Sequence, residues 1–336
     1  MNTDNLNDVF LKFDVVNILN CSTVCKLWNN ISKSENIWEF LFKEIFNNPI
    51  NFNYRNQYKR YHKLNKFLAK HIKDDINKCI LYDDLTFTEN SSIIVLPKEI
   101  SILINLTSLN INRTELRYIP SEIGLLINLI TLYLTRNDLK TLPKEIGSLK
   151  NLEVLAFNDN YIKEIPEEFC QLIHLKALVC STNYIEKLPE NIGNLVELEE
   201  LYLDENCLSK FPNGIEKLTN LLALNLSENL ITEIPDNVNN MINLQRLYLD
   251  YCELKTLPVS LGDLTLDIIA LGENPLQDIP LDIQLMANLT IKIDKNKFHL
   301  INNIHKCEFM EFRPIIKLVR DPLTQIVKQY IKVKVS

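Results

Sequence analysis

Glycine is scarce, with 6 in 336 residues, and proline stands at 13. That excludes a collagen-like chain and a Pro/Gly-rich disordered one. No apolar run reaches the roughly 18 residues that a spanning helix needs, so no membrane segment is expected. Met1 to Phe10 has no basic stretch ahead of an apolar run, so no secretory signal is expected either. The 8 cysteines (Cys21, Cys25, Cys79, Cys170, Cys180, Cys207, Cys252, Cys307) lie far apart and form no CxxC pair. In an unsecreted chain they read as reduced thiols. His62, His71, His174, His299 and His305 make no metal-ligand spacing with them. There is no glycine-rich phosphate loop and no nucleophile elbow. The sequence therefore offers no catalytic residue, no metal site and no cofactor site, and the reading is that it is not an enzyme.

What remains is a globular composition, 46% hydrophobic and 24% charged, long enough for about two domains. Its charge is uneven. Residues 1–80 hold 12 basic and 8 acidic side chains, and residues 297–336 hold 8 and 3. The middle, 81–296, holds 16 basic against 32 acidic. An acidic body repels phosphates, so no nucleic-acid partner is expected along it.

Self-similarity decides the fold. An apolar–proline pair recurs at Leu96-Pro97, Ile119-Pro120, Leu142-Pro143, Ile165-Pro166, Leu188-Pro189, Phe211-Pro212, Ile234-Pro235, Leu257-Pro258 and Ile279-Pro280. Successive prolines are 23 positions apart, except the last step of 22. Between them runs P-x-x-I-x-x-L-x-x-L-x-x-L-x-L-x-x-N-x-L. The L-x-L element (Leu132/Leu134, Leu155/Phe157, Leu201/Leu203) has the period of a short strand, with its leucines inward. Asn137, Asn160, Asn183, Asn206, Asn229, Asn274 and Asn296 follow the strands. A buried amide there can satisfy backbone groups where no regular ladder exists. Thr114 and Cys252 stand in the same column with fewer bonds to offer. Proline starts the return with its fixed φ. Gly124, Gly147, Gly193 and Gly262 share one position of the repeat.

This pattern resembles the leucine-rich repeat family in its 23-residue LPxxI, Ras-suppressor-like form. The resemblance implies an α/β fold, a right-handed solenoid with a parallel concave sheet. About nine to ten repeats are expected over 81–296, with 297–336 closing the far end. Stacking is what buries each repeat's apolar face.

Residues beside the inward leucines face the concave side. There the sequence places Tyr133, Tyr202 and Tyr248 along the arc, with an acidic zone of Glu200, Asp204, Glu205, Glu228 and Asp250. Tyrosine anchors amid carboxylates suit a protein partner with a basic segment. The alternative is that tyrosine suits a strand and acids keep the surface soluble.

Residues 1–80 lack the repeat. Val24-Cys25-Lys26-Leu27-Trp28, with Asp14 before it and Ile37-Trp38 after it, resembles the F-box family. The resemblance implies an F-box-like helical unit over 1–46, followed by a linker helix in 47–80. It also implies a Skp-type adaptor bound through Leu6, Phe10, Leu19, Val24 and Trp28. Two departures stand out. Leu6-Asn7 replaces the family's Leu-Pro, and the first helix is about a turn short. Trp28 and Trp38 are expected in the unit's core. From Tyr54 to Lys73 aromatics interleave with Lys and Arg, but their helical spacing favours an amphipathic helix with a solvated basic face over a nucleic-acid site.

Together these readings describe a non-catalytic interaction adaptor that recruits substrates to a cullin–RING (SCF-type) ubiquitin ligase. The alternative is a scaffold of the Ras-suppressor-like class with no ubiquitin role. An intracellular, cytoplasmic location follows from the thiols and the missing signal. Frequent Asn, Ile and Lys suggest an AT-rich genome, as of a protist or a large DNA virus; a viral protein would act in host cytoplasm.

Overall fold

In the computed structural model the described residues are 54–71, 83–87, 92–301 and 307–309. The chain forms two compact units, with the boundary between Lys70 and His71. The F-box-like segment, including Leu6, Phe10, Leu19, Val24, Trp28 and Trp38, lies outside the described residues, as does the chain after Phe309.

Helix α1 (Tyr54–His71) falls where the linker helix is expected. Leu64 and Leu68, four apart, are buried, while Lys63, Lys66 and Lys70 are exposed. The basic side chains occupy a solvated face, as the helical spacing requires.

The second unit carries one parallel sheet of eleven strands in strict chain order. The strands are β1 (Asp84–Thr86), β2 (Ser108–Asn110), β3 (Thr131–Tyr133), β4 (Val154–Ala156), β5 (Ala177–Val179) and β6 (Glu200–Tyr202). They continue with β7 (Ala223–Asn225), β8 (Arg246–Tyr248), β9 (Ile268–Ala270), β10 (Thr290–Ile293) and β11 (Cys307–Phe309). The last falls inside the stretch expected to close the stack. The register is constant: Leu109 pairs with Leu132, Leu132 with Leu155, Leu155 with Leu178, and so on to Leu247. Each of these leucines is buried, and their neighbours alternate to the other side of the pleat.

The return path follows from a spacing of three. Pro120, Ile123, Leu126 and Leu129 are joined by successive i→i+3 bonds, each N–H donating to the carbonyl three residues earlier at 2.9–3.0 Å. The first part of the run, Ser121–Leu125, is a 3-10 helix, in which residues three apart share a face, and a turn after Leu126 continues the spacing. The prolines precede the turns in extended conformation, for example Pro143 at φ −68° and ψ 142°. Only the ninth return, α2 (Leu281–Gln284), is α-helical. Neighbouring turns pack so closely that a Cβ on Gly147 would lie 2.1 Å from the Glu168 carbonyl oxygen, and one on Gly124 2.5 Å from that of Glu145. At Gly124 and Gly147 glycine is a steric requirement of that approach, while the same position in other turns holds Ser101, Cys170, Glu216 and Asn239.

The asparagines bind as their column requires. Asn137 Nδ2 donates to the carbonyls of Leu134 (2.9 Å) and Ile111 (2.7 Å), and its Oδ1 accepts the Leu116 N–H at 2.9 Å. Asn160, Asn183, Asn206, Asn229 and Asn274 repeat the pattern. Cys252 keeps the place with longer contacts, its thiol reaching the Leu226 carbonyl at 3.4 Å and that of Asp250 at 3.8 Å. The Asn296 side chain lies outside the described residues. The residue just before this column is left-handed in eight turns: Arg113, Arg136, Asp159, Thr182, Glu205, Glu228, Tyr251 and Glu273, with φ between 52° and 57°. None is glycine, and each stores strain that the flanking ladder offsets.

Candidate protein-binding face

Three columns point to the concave side, one before each inward leucine and two after it. In β4 and β5 they are small. Val154, Ala156, Ala177 and Val179 form an apolar floor, and Tyr133 and Tyr202 pack against it from the two sides. Each tyrosine is thus half-buried, its ring held by its own sheet and its remaining surface turned outward. Tyrosine in that setting is a pre-ordered contact, with little rotamer entropy left to lose.

Beyond this floor the charge begins. Glu200 accepts the Tyr202 hydroxyl at 3.3 Å and pairs with Arg246 Nη2 at 3.4 Å. The guanidinium crosses β7 to do so, which Ala223 permits because it lies between them in the same column. Burial pushes the Glu200 carboxyl up, with Arg246 opposing. Asp204 accepts the Ser181 hydroxyl at 2.6 Å, and burial pushes it up to about 6. Asp250 accepts the Gly272 N–H at 2.7 Å and also rises to about 6, mainly through burial, with Lys292 opposing. Glu228 is raised by burial first, then by Glu205 and Asp204. Tyr202 and Tyr248 are raised by burial, so both stay phenols at neutral pH.

The structure thus brings Glu200, Tyr202, Asp204, Glu205, Glu228, Tyr248 and Asp250 onto three adjacent turns, while Tyr133 lies three strands away on the far side of the apolar floor. Sequence reasoning missed Arg246, which neutralises part of the zone. Its signal was available: it stands 46 positions after Glu200, two repeats along the same column. Also missed is that the acids are tied into the stack. In the column of Asp204 and Asp250, side chains bridge successive turns: Asn112 Oδ1 accepts the Thr135 N–H at 2.7 Å, and the Thr135 hydroxyl donates to Asn158 Oδ1 at 2.8 Å.

Among the described residues no group of His, Cys, Asp or Glu could hold a metal ion, and no helix is long and apolar enough to cross a membrane. Cys170, Cys180, Cys207 and Cys252 are free thiols. Cys180 is fully buried at a core leucine position, and burial pushes its thiol up, away from the reactive thiolate.

Comparison with known proteins agrees with this architecture. Family models match at three places: an F-box domain at residues 1–40, a leucine-rich repeat region at 131–207 and a leucine rich repeat at 196–254. A search of curated proteins returned no significant match. Among solved structures, the chain is similar to the leucine-rich-repeat ectodomain of the Arabidopsis thaliana receptor kinase GASSHO1/SCHENGEN3, in complex with CASPARIAN STRIP INTEGRITY FACTOR 2. The identity is 33% and the TM-score 0.55, over 59% of this chain and 25% of that one. It is similar to the plant peptide hormone receptor RGFR1 in complex with RGF2, at 29% identity and TM-score 0.53, over 63% of this chain and 40% of that one. An internalin of Listeria monocytogenes shares the fold at 23% identity and TM-score 0.56, over 66% of this chain and 64% of that one. The chain thus spans from a quarter to under two thirds of these proteins. F-box and leucine-rich-repeat families are typically non-catalytic interaction modules, and their combination is that of an interaction adaptor. With the family matches and the eleven-stranded stack side by side, this is a leucine-rich-repeat protein with an N-terminal F-box-like segment.

Proposed function

We propose that the chain is a substrate-recruiting subunit of an SCF-type ubiquitin ligase. The observation that carries this is the F-box match at residues 1–40 on the same chain as a repeat stack whose acidic zone is partly neutralised by Arg246. The F-box-like segment would hold a Skp-type adaptor through Leu6, Phe10, Leu19, Val24 and Trp28. The arc would hold the target, and the chemistry of ubiquitin transfer would belong to other subunits. The domain limits follow the same reading: an F-box-like unit over 1–46, a linker helix within 47–80, repeats over 81–296 and a closing segment over 297–336. An adaptor of this kind works inside the cell.

The target's class follows from the face itself. Tyr202 and Tyr248 offer half-buried rings, and Glu200, Asp204, Glu205, Glu228 and Asp250 surround them. An exposed Lys/Arg-rich segment with one or two large apolar side chains fits that arrangement. The carboxylates would steer its approach and the rings would slow its departure. The plant receptor structures that share the fold hold a peptide hormone or factor, which supports a role for such arcs in binding protein ligands.

The test is co-purification of the full chain with a Skp-type adaptor, read by gel filtration, with Leu19→Asp and Trp28→Ala as the interface variants. A stable one-to-one complex lost in Leu19→Asp supports the ligase reading. Failure to bind any Skp-type adaptor from a eukaryotic panel overturns it in favour of the scaffold of the Ras-suppressor-like class.

A further inference from the structure

The sixth return of the stack departs from most of the others. In the first four returns, and again in the seventh and eighth, a 3-10 helix begins directly after the proline, at Lys98, Ser121, Lys144, Glu167, Asp236 and Val259. In the sixth it begins only at Ile215, and Asn213-Gly214 forms a turn between that helix and Pro212. Gly214 has φ 90° and ψ −19°, a left-handed conformation open to glycine because it has no Cβ. Asn213-Gly214 is also the one Asn-Gly pair in the chain. The Asn213 side chain is exposed, and no hydrogen bond among the described residues holds its amide. The Gly214 N–H donates to Glu216 Oε2 at 2.7 Å. An amide carbon, a backbone nitrogen one residue on and a carboxylate on that nitrogen's proton are the parts of an intramolecular acyl transfer, which proximity favours.

We propose that Asn213 is a self-modifying site, converted to aspartate and isoaspartate through a cyclic imide with the Gly214 nitrogen, with Glu216 as the base. The Gly214 nitrogen attacks Asn213 Cγ while its proton passes to Glu216 Oε2. That proton lies in the peptide plane, so its removal leaves the faces of the nitrogen open to the side-chain carbonyl. The tetrahedral carbon then expels the side-chain nitrogen as ammonia, which takes the proton back from Glu216. Water opens the five-membered imide at either carbonyl. One opening gives aspartate. The other sends the main chain through the former side-chain carbon and gives isoaspartate. The sum is amide plus water to carboxylate and ammonium, with no electron transferred.

The fifth return supplies the contrast. Asn191 is exposed as well, but its Nδ2 donates to Glu167 Oε1 at 2.6 Å. The residue after it is β-branched Ile192, whose N–H donates to the Pro189 carbonyl at 3.2 Å. Neither its amide nor the next nitrogen is available. The modified turn also sits in a tight place. A Cβ on Gly193 would lie 2.8 Å from the Gly214 carbonyl oxygen, and one on Gly214 would lie 3.2 Å from Ile192 Cγ2. Isoaspartate lengthens the main chain there by one methylene, and both products add a negative charge. Packing this close registers such a change, so the contact between the fifth and sixth returns loosens as the chain ages.

The experiment ages the full chain in mildly alkaline buffer and follows the tryptic peptide Phe211–Lys217 by mass spectrometry, with isoaspartate identified from its backbone fragments. Isoaspartate should accumulate at position 213 while Asn191 keeps its amide. Glu216→Gln should slow the conversion by about a hundredfold, the lower end of what a placed general base contributes. That gap should close in guanidinium chloride, where the carboxylate is no longer held on the nitrogen. Aged wild type should unfold at lower urea than aged Asn213→Ser, which cannot form the imide. An Asn213 that stays intact would overturn the proposal. Aspartate without isoaspartate would mean direct attack by water and overturn the cyclic route. A Glu216→Gln rate equal to or above wild type would overturn the base. Equal urea midpoints in the two aged chains would overturn the loosening.

Discussion

Replacing Asn183 by alanine tests the reasoning about the asparagine column most directly. Asn183 Nδ2 donates to the carbonyls of Phe157 (3.1 Å), Cys180 (3.1 Å) and Ser181 (3.2 Å), and Oδ1 accepts the Ile162 N–H at 3.0 Å. The four losses differ. Phe157 O keeps a bond from Asn160 Nδ2, Cys180 O keeps one from Asn206 Nδ2, and Ser181 O keeps the Asp159 N–H. The Ile162 N–H loses its bond to the amide inside the stack. An orphaned buried donor costs about 1–3 kcal/mol, and each carbonyl that loses one of two donors adds a few tenths. A small cavity adds to this. The expected total is roughly 3 kcal/mol, read from urea unfolding of the full chain by circular dichroism. Asn151 is the control. Its amide donates to the Ile127 carbonyl at 2.9 Å on the exposed edge, where water replaces it. Asn151→Ala should stay within about 0.5 kcal/mol, as surface changes do. Equal costs at the two sites, or a cost below 1 kcal/mol at Asn183, would mean that the amides decorate the stack and do not hold it.

Two further outcomes follow from particular contacts. Gly147→Ala should destabilise by about 1–3 kcal/mol, because its Cβ meets the backbone oxygen of Glu168 at 2.1 Å and no side chain can swing away; thermal unfolding checks it, and an unchanged midpoint would show the turns free to separate. Asp204 and Asp250 both hold protons up to about 6 when folded, against 3.8 for the free carboxyl. The folded chain therefore binds more protons than the unfolded chain between about pH 4 and 6. The stability these two groups contribute is complete below that window and is lost as pH rises through it. Asp204→Asn with Asp250→Asn should flatten the pH dependence of the urea midpoint from 4 to 6 and raise it at pH 7. A double variant with the wild-type slope would refute the assignment.

The stack was legible in the sequence because its determinants are periodic. Leucines two apart, asparagine three after the second, and proline with apolar residues every three positions each map to one geometric duty, and the duty recurs in every turn. The left-handed residues were not legible. Arg113, Asp159, Thr182, Glu205 and Tyr251 share a backbone conformation and no side-chain property, since the ladder on either side imposes it. The acidic zone was legible as composition but not as energetics. Nothing local distinguishes Glu205 from Asp204, yet Asp204 is bonded to Ser181 and raised by burial. The cation over the zone escaped notice because Arg246 meets Glu200 across an intervening strand, a relation visible only once the register is known.

That register also bears on why Asp204 and Asp250 are aspartates at all. Their column has a structural duty, a side-chain oxygen that accepts a bond from a neighbouring turn. Asn112 and Asn158 perform it without charge, accepting from Thr135 N–H and Thr135 Oγ1. Asparagine at 204 and 250 would preserve both oxygens and remove the burial cost of two carboxylates at neutral pH. The fold is therefore less stable with aspartate, by the same linkage that raises their protonation range. Features that cost stability and that the scaffold does not require concentrate where a protein meets something else. The cost falls on the turns that also carry Tyr202, Tyr248 and the Glu200–Arg246 pair, and not on the uncharged Val–Ala floor beside them. Turns six to eight are for this reason the part of the arc on which the proposed target would depend.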